Sequence, residues 1–100
     1  MIILNTTFFA EEPLTEEISR WLASVYLPAI HESGLFESAE CARVLEPAEP
    51  GAVSFACRCV THDLSAARRW HDDTAALLRD DLSARWGQRV VWFTTYMEVI

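Results

Sequence analysis

Three thiols, three imidazoles and a few polar side chains in apolar surroundings are what this chain offers for chemistry. Cys57 and Cys59 share one parity of a strand, roughly 6.5 Å apart at the usual rise per residue, and Cys41 falls where a neighbouring strand would run. Three thiolates can grip a soft metal such as zinc. Here a fourth ligand is missing, and the CxC spacing departs from the CxxC of zinc knuckles. Cysteine in a core otherwise packs as a small hydrophobe, so the expectation is a packing role and no metal. No HxxxH or HExxH spacing links His31, His62 and His71.

Single side chains carry the remaining possibilities. His71, beside Trp70, allows two readings: an acid or base at a cavity mouth, since an imidazole titrates near neutrality, or a boundary histidine bonded to water. Tyr26 lies two residues before Pro28, where a helix interior is broken; its phenol either faces an entrance beside the helix or keeps its ring in the core and its hydroxyl in water. Asn5, Arg58, Tyr96 and Glu98, joined by Arg43, are the polar members of a presumed inner sheet face. A buried arginine must be paired, and Glu98 is a plausible mate. Arg58 is then either an anchor for a ligand carboxylate or carbonyl, or half of a subunit-interface salt bridge. The ligand-binding candidates are therefore Asn5, Tyr26, Arg43, Arg58, Trp70, His71 and Tyr96. With only three glycines, none clustered, and no GxSxG elbow, neither a phosphate loop nor a serine triad has support, and no cofactor is implied.

The elements that must position these residues follow from hydrophobic periodicity. Met1 to Phe9 alternates as a first strand. Thr15 is a candidate N-cap of a first helix with Glu16 and Glu17 in its first turn, running to about Ser33 before Gly34, with a bend at Ser24 to Pro28. A second strand spans Ser38 to Glu46, and a turn with two prolines and a glycine leads to a third, Ala52 to Thr61, whose core face is Val53, Phe55, Cys57 and Cys59. Asp63 or Ser65 caps one long second helix with a buried stripe of Ala67, Trp70, Thr74, Leu77, Leu78, Leu82 and Trp86, ending at Gly87. Arg68–Asp72, Arg69–Asp73 and Asp81–Arg85 are spaced for ion pairs on its solvated side.

Gln88 to Ile100 is apolar on both parities of an alternating pattern, so a strand here needs cover on both faces. The expectation assigns Val91, Phe93, Thr95, Met97 and Val99 to the chain's own helices. Val90, Trp92, Thr94, Tyr96 and Glu98 go to the other face, with Val90, Trp92 and Tyr96 as candidates for a dimer contact. The order β-α-β-β-α-β makes a single domain over 1–100: an α+β, ferredoxin-like, four-stranded antiparallel sheet with two helices on one side, paired into a dimeric α+β barrel.

A net charge of −7, with no lysine and eight arginines set among acids, argues against nucleic acid and anionic membrane surfaces as partners. The N-terminal stretch lacks a basic segment and the length to span a bilayer, and the odd cysteine count suits a reducing compartment, so a cytoplasmic location is expected.

Short segments in order along nearly the whole chain resemble a short bacterial domain-of-unknown-function family with a dimeric α+β barrel fold. They are Asn5-Thr6-Thr7-Phe8, Tyr26-Leu27-Pro28 with Gly34, Arg43-Val44-Leu45, Gly51-Ala52-Val53-Ser54-Phe55, Arg69-Trp70-His71 and Thr95-Tyr96-Met97-Glu98-Val99. The chain departs from that pattern in carrying Ala29 and Ala42. The resemblance implies fold and association and brings no activity with it. The functional expectation is a homodimeric module, structural or binding a small apolar or aromatic ligand. The alternative is a cofactor-independent monooxygenase or isomerase acting on aromatic or polyketide-like substrates, in which Asn5, Tyr26, His71 and Arg58 position the substrate.

Overall fold

Ten alternating residues, Ile2–Glu11, form β1, the strand on which the rest of the molecule is hung. The structure, a computed structural model, describes residues 1–100. After β1 a helical arm is built from α1 (Thr15–Trp21), a π-helical turn (Leu22–Tyr26) and α2 (Leu27–Ser33). The hairpin β2 (Ser38–Arg43) and β3 (Ala52–Thr61) follows, then a second arm of α3 (Leu64–Asp72) and α4 (Thr74–Trp86), and finally β4 (Val90–Glu98). The sheet order is β2-β3-β1-β4 with every pair antiparallel, which is the ferredoxin-like βαββαβ topology.

The first arm keeps one face on the sheet by breaking the α-helical period. Ile18, Leu22, Tyr26 and Ile30 are all buried although they recur every four residues. At 3.6 residues per turn, each such step drifts by about 40°. The π turn, in which the Leu27 amide donates to the Leu22 carbonyl, takes up the drift. It also receives Pro28, which has no amide hydrogen to give and stands at the start of α2. Gly34 ends the arm in a left-handed conformation at φ 68°. Thr15 does not cap α1: its hydroxyl donates backwards to the Glu12 carbonyl at 2.6 Å, and Leu14 occupies the cap position.

The second arm is two helices instead of one. Asp63 caps α3 by accepting from the Ser65 and Ala66 amides, and the chain breaks at Asp73. The break changes the phase of the buried stripe, so Ala75 turns inward with Ala67, Trp70 and Leu82, while Thr74 and Leu77 face outward. Of the expected ion pairs only Asp81–Arg85 forms, at 3.2 Å; Asp72 turns to His71 instead. The arms are tied by two indoles: Trp21 Nε1 donates to Asp81 Oδ2 at 3.2 Å, and Trp86 Nε1 to Glu17 Oε2 at 3.0 Å.

Between arms and sheet lies one aromatic core. Phe8 meets Tyr26 edge-on at 5.2 Å and Trp21 at 6.3 Å, and Trp70 joins Tyr26 to Phe36. Each of these rings contributes about 1.5–3 kcal/mol by burial.

The faces of β4 are the reverse of the sequence expectation. Residues opposite in register point to the same side of a sheet, and Tyr96, Thr94, Trp92 and Val90 stand opposite Leu4, Thr6, Phe8 and Ala10, the face of β1 that the helices cover. Val90 is buried there, and Trp92 and Tyr96 pack against the core. Val91, Phe93, Thr95 and Met97 go to the bare face of the sheet with Ile3, Asn5, Thr7 and Phe9. Because side chains alternate with a period of two, choosing the wrong parity inverts every residue of the strand. β2 is also shorter than expected, ending at Arg43, although the Val44 amide still donates to the Ser54 carbonyl.

Candidate functional site

β2 spans only six residues, and beside it the first arm leaves a gap over the edge of the sheet. The result is an open groove of about 550 Å3. Its apolar wall is Leu22 and Ala23 of the π turn, Leu27 of α2, Cys41 of β2 and Phe55 of β3; Thr15, Glu16, Ser19 and Arg20 of α1 and Arg43 at the end of β2 supply the polar rim. The groove thus combines an apolar body with a few polar groups, which is how small-molecule sites are commonly built.

Cys41, in the groove wall, stands opposite Cys57 in the β2–β3 register. Hydrogen bonding to Cys41, followed by burial, raises the Cys57 thiol far above its usual range, and burial pushes Cys59 up to about 12. The Cys59 thiol is also directed at the Leu4 carbonyl, 3.6 Å away. Burial thus keeps the Cys57 and Cys59 thiols in the protonated form that packs as a small hydrophobe. No group of three or more His, Cys, Asp or Glu side chains converges anywhere in the chain.

A polar seam lies between β1, β4 and α3, apart from the groove. Thr6 and Thr94 share a hydrogen bond of 2.9 Å, His71 Nε2 lies 3.1 Å from the Thr94 hydroxyl, and His71 Nδ1 lies 3.1 Å from the Asp72 carboxylate. An exposed carboxylate is thereby linked through an imidazole to a part-buried hydroxyl and from it to the buried Thr6. Burial pushes the Tyr26 phenol well above its usual range, with the Thr6 hydroxyl opposing it in part. Tyr96 lies edge-on to His71 at 5.9 Å with the Arg68 guanidinium 6.0 Å from its ring centre; burial, and then Asp72, raise its phenol. Arg79 donates to the His71 carbonyl at 3.1 Å. Trp70 Nε1 is buried without a hydrogen-bond partner.

The seven sequence candidates therefore occupy three places. Tyr26, Trp70, His71 and Tyr96 lie on the helix side around the polar seam. Arg43 stands alone on the rim of the groove. Asn5 and Arg58 are on the bare face of the sheet, where Asn5 donates to Thr7 at 3.2 Å and Arg58 approaches Glu40 of β2 at 3.8 Å. Within one chain Arg58 thus meets Glu40, its register neighbour, and not Glu98, which pairs with Ile2 on the far side of β1. The four residues that the enzymatic alternative needs together, Asn5, Tyr26, His71 and Arg58, are divided by the sheet.

Sequence reasoning missed Arg20, Ser19 and Ala23, because they read as the solvated side of an amphipathic helix. The signal available was Pro28: a helix that must loosen ahead of a proline exposes a different set of residues just before it.

No curated protein matches the chain in sequence. One family model does match, over residues 1–100 and so over every element described above, and by it the chain belongs to the family described as Domain of unknown function (DUF4286).

Proposed function

We propose that this domain is a small-ligand-binding module that works as a homodimer. The observation that carries the binding half is the groove of about 550 Å3 beside β2, to whose apolar wall the π turn contributes Leu22 and Ala23. Its volume lies within the range of sites for small organic molecules. Acid–base chemistry is not part of the reading, because neither His71 nor Tyr26 lines the groove.

The second copy is assigned to the bare face of the sheet. Val91, Phe93, Met97 and Val99 are 52%, 53%, 42% and 51% exposed, and Phe93 stacks on Phe9 at 5.6 Å, so the apolar surface is continuous across β1 and β4. The same face carries both an arginine and its acidic neighbour, Arg58 and Glu40, so two copies related by a twofold axis meet with complementary charge. Sheet-to-sheet pairing would close the dimeric α+β barrel.

The binding half is tested with the uncharged dye N-phenyl-1-naphthylamine. Its fluorescence should rise on saturable binding of one dye per chain. Ala23→Trp, at an exposed helical position in the groove wall, should abolish the rise without lowering the melting temperature. Binding that ignores this substitution would remove the groove from the reading.

A further inference from the structure

We infer that the ligand of the groove beside β2 is an amphipathic anion, an apolar body ending in a carboxylate or sulfonate held by Arg43 with Arg20. The inference rests on the groove being a ligand site and names the chemistry it takes. Of the eight arginines, Arg58, Arg85 and Arg89 meet a carboxylate, while Arg68, Arg69 and Arg79 do not, and these last three lie away from the groove. Arg20 and Arg43 have none within 4 Å.

These two stand on different elements, α1 and β2, on either side of the same opening. Glu16 is the one carboxylate among the lining residues. It is spaced i,i+4 from Arg20, yet the two do not pair. Two arginines against one glutamate leave the rim positive in a protein of net charge −7.

The wall, Leu22, Ala23, Leu27, Cys41 and Phe55, has no charged side chain to meet a second charge, so the ligand is charged at one end only. A guanidinium presents a planar fork of donors that matches the oxygens of a carboxylate or sulfonate, and such charge-assisted bonds are about twice as strong as neutral ones.

Two dyes sharing one aromatic body test this. 1-Anilinonaphthalene-8-sulfonate is N-phenyl-1-naphthylamine with a sulfonate added. The full chain should bind the sulfonate at least about tenfold more tightly than the neutral dye in low salt, an advantage of the size a charge-assisted contact supplies. The advantage should shrink as salt is raised, because both guanidinium groups are reached by solvent. The double substitution Arg20→Gln/Arg43→Gln should level the two dyes, and an unchanged melting temperature shows that the variant is folded. Octanoate, but not octanol, should displace the sulfonate.

Equal affinity for the two dyes, or a preference that survives Arg20→Gln/Arg43→Gln, would overturn the anion assignment and leave the groove standing. If neither dye binds, or both still bind to Ala23→Trp, the groove itself is not the site and the inference falls with it.

Discussion

The hydroxyls of Thr6 and Thr94 lie 2.9 Å apart at directly opposed positions of β1 and β4, and His71 closes the pair from the helix side. Thr6 is 1% exposed, on the sheet face that carries the aromatic core, so its oxygen has no water to fall back on. The three groups form a single polar seam through an otherwise apolar layer, and its members depend on one another.

Thr94→Val should therefore cost about 1–3 kcal/mol, because it takes a hydrogen-bond partner from both the buried Thr6 hydroxyl and His71 Nε2. The double variant Thr6→Val/Thr94→Val should cost less than the two single changes added together, since removing both polar groups removes the orphan. Urea denaturation of the four proteins measures the coupling; strict additivity would mean that the two hydroxyls do not interact.

Much of this fold was legible because several local signals agreed. The alternation of β1, the Pro-Gly turn of the hairpin and the cap at Asp63 each pointed to the observed element, and the core face of β3 followed from its cysteines and aromatics. The faces of β4 were not legible, since Val91, Phe93 and Met97 are as apolar as Val90, Trp92 and Tyr96. Only the register with β1 decides between the two sets. The groove was hidden for a different reason. It depends on a π turn that periodicity can suggest through Pro28 but cannot place, and Arg43 alone among the candidates was found near it.

The inverted β4 gives two substitutions on adjacent residues opposite outcomes. Phe93→Glu, on the bare face, should convert the proposed dimer to a folded monomer by light scattering. Trp92→Glu should fail to fold or melt much earlier, because Trp92 packs on the helix side 6.4 Å from Phe8. A wild-type chain that is monomeric at micromolar concentration, or a Phe93→Glu variant that keeps the dimer mass, would remove the second copy from this face.

Alkaline conditions should unfold the protein through its buried acids. Cys59, with a usual value of 9.0, is pushed up to about 12 by burial, and the Cys57 thiol and the Tyr26 phenol are raised as well. A group whose folded value is raised contributes stability that is fully present below its unfolded value and lost as pH rises through the folded one. The melting temperature should thus hold to about pH 9 and fall between there and 12. Cys59→Ala and Tyr26→Phe should each flatten that fall. At pH 8 a thiol reagent should label Cys41 at most, with Cys57 and Cys59 becoming reactive on denaturation.

The opposite sign applies at Asp81. Its carboxyl lies below the usual value of 3.8 because it accepts a hydrogen bond from Trp21 Nε1 and, second, one from Arg85. Stability from a depressed carboxylate is complete above 3.8 and is lost as pH falls through the folded value. The Trp21 ring is buried in the core, so its N–H depends on this acceptor, which also ties α1 to α4. Asp81→Ala should lower the melting temperature at pH 7 more than Asp81→Asn, which keeps an oxygen for the indole. As pH falls below 3.8 the wild-type protein should lose its advantage over Asp81→Asn, the two curves meeting once the carboxylate is protonated. If the gap stays constant across that range, the Asp81 charge plays no part in holding the two helical arms together.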